Sequence, residues 1–330
     1  MGKKQGRGQK PDGLRAAWDR LRERLSSVYN RRITVRGNRY HLGETAAAYT
    51  LLLPTLIVLI ILFVIPLGML IVLSFTDFRL TTGVMEFNGL DNFIYLFTSE
   101  RFAKAMLNTV VFAVVKLSLD VILALAVALM LDSNVIFRRW LRMIYFSPVV
   151  VPVVACSLIW LWFYDPGIGP LNQILGWFGI EPLKWLYSEN TAMLSIILFS
   201  VWHGLGYNVV LLLSGLQGIS GEYLEAARLD GANEWDIIRR IKLPLMKPIL
   251  NFVIMMGIIN AFKAFSEVNV MTPDGGPNYS TAMAVNYIYE LAFTNGRMGR
   301  GAAASIILFA VIFFLTVLKN RIGGSKEVDV

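Results

Sequence analysis

Long apolar runs, separated by short polar segments, restrict this 330-residue chain more than any other feature of its sequence. About 20 consecutive apolar residues allow one helix to cross the hydrocarbon core of a bilayer. Only structures that satisfy their own backbone hydrogen bonds are stable there. Hydrophobic residues make up 55% of the chain and charged residues only 16%, so the sequence predicts an all-α, polytopic membrane protein. Its six transmembrane helices are predicted at about residues 47–75, 106–131, 141–164, 192–215, 249–271 and 302–319.

The predicted organisation has three parts: a basic N-terminal tail (1–45), a transmembrane domain (46–320) and a C-terminal tail (321–330). The N-terminal tail holds twelve Lys and Arg residues against four acidic residues, and no apolar run before residue 46 is typical of a cleaved signal peptide. Apolar side chains recur on one stripe of residues 11–29, which indicates a short helix on an anionic membrane surface. Nucleic-acid binding is an alternative for this tail, although no known module supports it.

Loop charge predicts the orientation of the chain. If the N-terminus lies inside, 23 of the 31 Lys and Arg residues fall in inside segments and six in outside loops. Because Lys and Arg accumulate in cytoplasmic loops, we expect both termini, and the segment between the fourth and fifth spans, to be cytoplasmic. The predicted location is the bacterial cell (inner) membrane.

Few residues are suited to catalysis or metal binding. Cys156 is the single cysteine and lies in an apolar run, and His41 and His203 are the only histidines. A disulfide framework and a His-based metal centre are therefore not expected. The chain also lacks the G-x-x-x-x-G-K-[ST] phosphate loop. We expect no catalytic residues and no metal site in this chain.

The segment between the fourth and fifth spans, residues 216–248, is called the elbow below. Good helix formers occupy residues 222–230, and Gly231 is suited to end that helix in a left-handed conformation. Asn233, with Asp236 three residues on, is a candidate N-cap for a second helix. Five basic and five acidic side chains balance in residues 221–248. The elbow is therefore either a solvated loop or a docking surface for a partner.

A complete motif within the elbow resembles the EAA motif of ABC importer permeases. It combines Glu225-Ala226-Ala227, Asp230-Gly231-Ala232 and Ile241-Lys242-Leu243-Pro244. The resemblance implies that the elbow is a coupling helix that docks on an ATP-hydrolysing subunit. The residues implied in coupling are Glu225, Ala226, Ala227, Asp230, Gly231, Ala232, Leu243 and Pro244.

Further strings resemble the carbohydrate (maltose-type) branch of these permeases, and in particular its first-permease type. They are T-x-x-G-G-P at 272–277, G-L-G-Y at 204–207 and D-P-x-x-G-P-L-N at 165–172. The resemblance covers about residues 46–320 and implies the fold of a type I ABC importer permease. It also implies four partners: a second homologous permease in a heterodimer, two copies of an ABC ATPase, an extracytoplasmic solute-binding protein and an oligosaccharide. ATP and Mg would be bound by the ATPase, leaving no cofactor in this chain and no nucleic-acid partner.

Polar side chains inside predicted spans are candidates for a substrate pathway, because such groups are costly in a membrane. In the fifth span Asn260, Lys263 and Glu267 are spaced to share one helix face, and Lys263 could pair with Glu267. The family's sugar contacts, carried over by the resemblance, fall in the fourth and fifth spans. The candidate positions are Leu205, Gly206, Tyr207, Asn208, Val209, Asn260, Ala261, Lys263, Ala264 and Glu267. At Asn260, Ala261 and Ala264 the residue types differ from the maltose permease, which leaves the sugar open.

Several interpretations remain open at this point. The polar groups of the spans could instead bridge helices within the bundle. We interpret Lys116 and Asp120 as a structural pair. An unpaired Lys263 on the pathway would favour an anionic sugar over a neutral one. Trp177, Trp185 and Tyr187 fit either a packed external cap or an interfacial aromatic belt. A membrane-embedded lipid- or sugar-modifying enzyme and a secondary transporter are alternative functions, although the chain shows neither an acid or His cluster nor a clear repeat.

Overall fold

A computed structural model describes residues 32–35, 38–133 and 138–322. The structure is almost entirely helical, which confirms the predicted all-α class. The surface helix predicted for residues 11–29 lies outside the described residues. A short antiparallel hairpin was not predicted: β1 (Arg32–Val35) pairs with β2 (Asn38–His41), with Ile33 opposite Tyr40. The consecutive β-branched residues Ile33, Thr34 and Val35 favour an extended backbone.

The chain divides into two compact units, residues 1–69 and 70–330. After the hairpin, α1 (Leu42–Leu59) is followed by a π-helical segment (Ile60–Val64) and by α2 (Ile65–Ser74). The widened segment ends two residues before Pro66, which has no N–H to donate to the preceding turn. Residues Ala47–Ser74 are long and apolar enough to cross a membrane.

The second unit is a helical bundle built around two long helices, α4 (Glu100–Asp132) and α8 (Glu189–Gln217). Small residues allow its helices to pack closely: a Cβ at Gly206 of α8 would lie 2.1 Å from the carbonyl oxygen of Tyr145, which belongs to α5 (Arg138–Val150). Backbones that approach this closely are typical of helix packing in membranes. The helices are α3 (Asp91–Thr98), α4 (Glu100–Asp132), α5 (Arg138–Val150), α6 (Val153–Phe163), α7 (Pro170–Trp177), α8 (Glu189–Gln217), α9 (Gly221–Leu229), α10 (Glu234–Ile237), α11 (Leu243–Leu245), α12 (Lys247–Phe262), α13 (Ser266–Met271), α14 (Ala284–Tyr289) and α15 (Met298–Ile322).

Four helices of the described residues could cross a membrane by length and composition, and two bent pairs raise this number to as many as six. The third predicted span, 141–164, is not one straight helix, because Met143–Val150 and Val153–Phe163 meet at 108°. Pro152 explains the break, since a proline disfavours helical backbone in the residue before it. The second bent pair joins Glu234–Leu245 to Lys247–Phe262 at 67°.

The fifth predicted span, 249–271, also differs from the structure. Helix α12 ends at Phe262, the backbone leaves the helix at Lys263, Ala264 and Phe265, and α13 begins at Ser266. Phe265 has φ −146° and ψ −59°, outside the helical region. The prediction was wrong here because it assumed one uninterrupted helix.

A packed cap follows α6, and Asn172 lies at its centre. The Asn172 amide donates to the carbonyl oxygens of Pro166 and Leu183, both at 3.0 Å. Its oxygen accepts from the Leu183 N–H at 3.1 Å and from Trp185 Nε1 at 2.8 Å. Trp185 is buried, as a packed cap requires, whereas Trp177 and Tyr187 are 81% and 67% exposed, as a belt requires. The packed cap therefore holds for Trp185, and the interfacial belt stays a prediction for Trp177 and Tyr187.

We expect Asn172→Ala to destabilise the protein strongly. The substitution leaves two N–H donors and two carbonyl oxygens without their partner, so the free energy of unfolding should fall by at least about 3 kcal/mol. Thermal unfolding in detergent, followed by tryptophan fluorescence, measures this change. Gln173→Ala is the matched control, because Gln173 is solvent-exposed and makes one bond, to the Ile168 carbonyl oxygen. Equal midpoints for the two variants would contradict the central role of Asn172.

Candidate functional site

The first helix of the elbow has well-defined ends. The Ser220 side chain caps α9 by accepting from the Glu222 N–H at 3.3 Å. Gly231 has φ +82°, the left-handed conformation predicted for it. The Ala232 N–H donates to the Ala227 carbonyl at 2.9 Å and the Gly231 N–H to the Arg228 carbonyl at 3.1 Å. These two bonds form a Schellman motif, which ends α9 sharply.

The second helix of the elbow begins at the predicted cap. Asn233 accepts from the Asp236 N–H at 2.9 Å and starts α10. Arg228 bridges the turn between the helices by an ion pair with Glu234 at 3.0 Å. The elbow is therefore a defined helix-turn-helix rather than an irregular loop.

The outer surface of the elbow combines polar and large apolar side chains. Glu225 and Ala226 are exposed, and Leu229 and Trp235 are 90% and 68% exposed. Among the other predicted coupling residues, Asp230, Gly231 and Pro244 are exposed, whereas Ala227, Ala232 and Leu243 are half-buried. Exposed apolar side chains of this size on a polar segment indicate a contact surface for another protein.

The inner side of the elbow is attached to the bundle. Lys242 Nζ donates to Asp132 Oδ2, at the end of α4, at 2.6 Å. Only 13% of the Lys242 side chain and 17% of the Asp132 side chain are exposed. Ile237 and Met246, which flank Lys242 in the sequence, are also buried. A displacement of the elbow would therefore act directly on α4.

A second feature is a pocket of about 200 Å³ within the bundle, called the central pocket below. Helices α4, α6, α8, α12 and α13 contribute to it. Its polar lining includes Asn260 and Glu267, which were predicted as pathway residues, and Ala264 lies beside them. Phe112, Val153 and Phe199 form apolar parts of the wall. Polar groups that converge within an apolar wall are typical of a ligand site.

Three further polar side chains line the central pocket: Lys116, Ser200 and His203. Lys116 Nζ forms an ion pair with Asp120 Oδ2, as predicted for these two residues. The second oxygen of Asp120 and the Ser200 hydroxyl are buried and have no hydrogen-bond partner among the described residues. His203 Nε2 lies 3.1 Å from the Val151 carbonyl oxygen, and its ring stacks on Phe199.

The remaining candidate pathway residues do not lie at the central pocket. Gly206 and Val209 line a separate apolar cavity of about 300 Å³ between α4, α5 and α8. Ala261 is buried in the core, and Leu205 and Asn208 are half-buried. Tyr207 and Lys263 are exposed.

The prediction that Lys263 and Glu267 share one helix face and could pair was wrong. Because α12 ends before Lys263 and α13 starts at Ser266, Asn260, Lys263 and Glu267 do not share the face of one helix. Within the described residues, Lys263 and Glu267 form no ion pair. Asn260 and Glu267 nevertheless meet at the central pocket, which leaves Lys263 outside it.

The loop after α13 forms a third, polar cavity of about 340 Å³. Thr281 Oγ1 lies 2.8 Å from both Thr272 Oγ1 and the Gly275 carbonyl oxygen, and these contacts hold the T-x-x-G-G-P string in place. Tyr279 donates to Glu290 Oε2 at 3.0 Å on one side of this cavity. Burial raises the pKa of Tyr279 well above its usual value, and the Glu290 carboxylate adds to this rise. The tyrosine therefore stays protonated and acts as a donor.

Comparison with protein families supports the class of protein that the elbow motif and the helical bundle indicate. The family model of the binding-protein-dependent transport system inner membrane component matches residues 120–324. The chain therefore belongs to this family of transport components, whose members are permease subunits of ABC importers rather than enzymes. This confirms the class predicted from the EAA motif, and it confirms a multi-pass membrane protein.

Two curated relatives and one solved structure are similar to most of the chain. A probable ABC transporter permease protein, YurN, of Bacillus subtilis is 31% identical over 83% of this chain and 94% of its own length. The trehalose/maltose transport system permease protein MalF of Thermococcus litoralis is 32% identical over 86% of this chain and 96% of its own length. A chain of a bacterial alginate ABC transporter, solved with an alginate pentasaccharide-bound periplasmic protein, has a TM-score of 0.75 and 24% identity, covering 85% of this chain and 95% of that chain.

Sequence reasoning did not predict two of the polar groups that line the central pocket. Lys116 was interpreted only as the partner of Asp120, and Ser200 was not considered. A signal for Lys116 existed, because an ionisable residue near the middle of a predicted span is a functional candidate by default. Ser200 carries no such signal, since serine is common in membrane helices.

We expect the Lys242–Asp132 pair to contribute substantially to stability. Lys242→Asp or Asp132→Lys leaves two like charges in a largely buried place, so each should lower the free energy of unfolding by about 3 kcal/mol or more. The double exchange restores opposite charges and should recover most of the loss. Thermal midpoints of the four proteins measure this coupling.

The Arg228–Glu234 pair provides the control for this charge exchange. Its side chains are 56% and 68% exposed, so the same set of exchanges should change stability by less than about 1 kcal/mol. A double exchange at 132 and 242 that is no more stable than the single variants would argue against the pair as the attachment of the elbow.

Proposed function

We propose that this chain is the sugar-translocating permease subunit of an ATP-driven ABC importer. It moves an oligosaccharide or related sugar into the cytoplasm after delivery by an extracytoplasmic binding protein. The observation that carries this proposal is the central pocket, where Asn260 and Glu267 meet an aromatic wall within the bundle. Sugars are recognised by apolar stacking together with directional hydrogen bonds. The trehalose/maltose relative supports the sugar class.

The elbow is the coupling element in this proposal. Its residues Glu225 and Ala226 dock on an ABC ATPase subunit, which binds ATP and Mg, so that no cofactor resides in this chain. A partner can drive a permease only through contacts that differ between its two states. The exposed Leu229 and Trp235 side chains and the attachment of Lys242 to α4 suit the elbow to such contacts.

The remaining partners follow from the same proposal. A second homologous permease completes the pathway in a heterodimer, and two ATPase copies contact one elbow each. The membrane is the bacterial inner membrane, with both termini and the elbow in the cytoplasm. The excess of Lys and Arg in the inside segments supports this orientation.

Glu225→Lys and Gly231→Pro should each abolish ATP-driven uptake while the chain still inserts into the membrane. Glu225→Lys reverses a charge on the exposed face, and proline cannot adopt the positive φ of Gly231. Uptake of labelled sugar into proteoliposomes, with ATPase activity measured in parallel, tests this. Glu222→Lys is the matched control, since Glu222 is exposed on the same helix but outside the motif. Normal uptake in both motif variants would exclude the coupling role.

Affinity purification of the tagged chain from native membranes, in mild detergent, tests the assembly. We expect a second polytopic permease and an ABC ATPase to co-purify, identified by mass spectrometry. The Glu225→Lys chain should retain the permease but lose most of the ATPase. Recovery of neither partner with the unmodified chain would overturn the proposed assembly.

A further inference from the structure

Lys116 lines the central pocket and forms an ion pair with Asp120, and this pair has no role in the function proposed so far. Both side chains are largely buried, with 16% and 4% of their surface exposed. Gly204 of α8 faces the ammonium group: a Cβ at this position would lie 3.7 Å from Lys116 Nζ. The lysine therefore remains accessible from the pocket, because no side chain at position 204 covers it.

We propose that Lys116, positioned by Asp120, is a substrate-binding residue of a subsite for neutral sugars. This inference rests on the proposed sugar-permease function and deepens it. An ammonium group has three N–H donors, and the bond to Asp120 uses one of them. The remaining donors can bind sugar hydroxyl oxygens, while the Glu267 carboxylate accepts from neighbouring hydroxyls.

The charge balance of the pocket argues for a neutral ligand. Asp120 compensates the charge of Lys116, whereas Glu267 has no ion-pair partner among the described residues. Lys263 is exposed and does not line the pocket. The lining therefore keeps an uncompensated negative charge, which repels a uronate carboxylate and accepts hydrogen bonds from sugar hydroxyls.

One further polar group and the size of the pocket also suit a sugar ring. The Ser200 hydroxyl lines the pocket, is buried and has no hydrogen-bond partner among the described residues. The volume of about 200 Å³ is several times the share of one water molecule, ~30 Å³. This space suits one ring of an oligosaccharide rather than the whole chain.

Equilibrium binding to the assembled transporter in lipid nanodiscs tests the inference. The probes are labelled trisaccharides of two kinds: neutral (maltotriose, cellotriose) and acidic (trigalacturonate). The double variant Lys116→Met/Asp120→Asn removes both charges together, so no buried charge is left alone. It should weaken binding of the neutral probe by about tenfold or more, whereas Ser118→Ala, an exposed control on α4, should not change it. Glu267→Gln should raise binding of the acidic probe by about tenfold.

The possible outcomes separate failure of this inference from failure of the proposed sugar function. Unchanged binding of the neutral probe to the double variant overturns the role of Lys116. An acidic probe that binds the unmodified transporter as tightly as the neutral probes overturns the neutral-sugar assignment. Failure of both probe classes on the unmodified, assembled transporter overturns the sugar function itself. If the double variant does not assemble, Ser200→Ala and Glu267→Gln take its place, and unchanged binding in both overturns the subsite.

Discussion

One helix, α4, connects the two regions on which a transport function depends. Lys116, near its middle, lines the central pocket, and Asp132, at its end, holds Lys242 of the elbow. The two positions are 16 residues apart, which corresponds to about 24 Å along a helix. A continuous helix transmits a displacement over this distance with little loss. In the proposed coupling role, the ion pair at Asp132 is the contact through which movement of the elbow would reach α4 and the pocket.

Breaks in two other helices create the pocket that α4 lines. The α5–α6 break at Pro152 disrupts the regular helical pairing of the backbone around Val151, and His203 lies at hydrogen-bond distance from the Val151 carbonyl. Within a membrane an unpaired backbone group is expensive, so a broken helix requires such a partner. The break between α12 and α13 places Asn260 and Glu267 on the pocket wall. These irregular segments lie where a ligand site needs polar groups.

Local chemistry explains which parts could be predicted from the sequence. The left-handed Gly231 and the Asn233 cap depend on a few neighbouring residues, and both were predicted correctly. The face shared by Asn260, Lys263 and Glu267 was predicted wrongly, because helical spacing holds only within one helix. Nothing in the local sequence around Lys263 marks the end of α12, since no proline or glycine lies between Phe262 and Ser266. The approach of Lys116 to Glu267 depends on tertiary packing between residues far apart in the chain.

The elbow and the central pocket differ in what they require from partners. The elbow takes its shape from this chain alone, because its caps and the Lys242–Asp132 pair are complete within it. Burial of its exposed Leu229 and Trp235 side chains contributes favourable free energy only when a partner surface covers them. The central pocket, by contrast, is lined by the Ser200 hydroxyl, which has no hydrogen-bond partner among the described residues, and the second oxygen of Asp120, the partner of Lys116, has none either. Since buried polar groups without partners are costly, a bound ligand that satisfies them stabilises one arrangement of α4 and α8 over others. In the proposed function, partner docking at the elbow and ligand binding at the pocket would both act on the position of α4, which is the condition for coupling the two events.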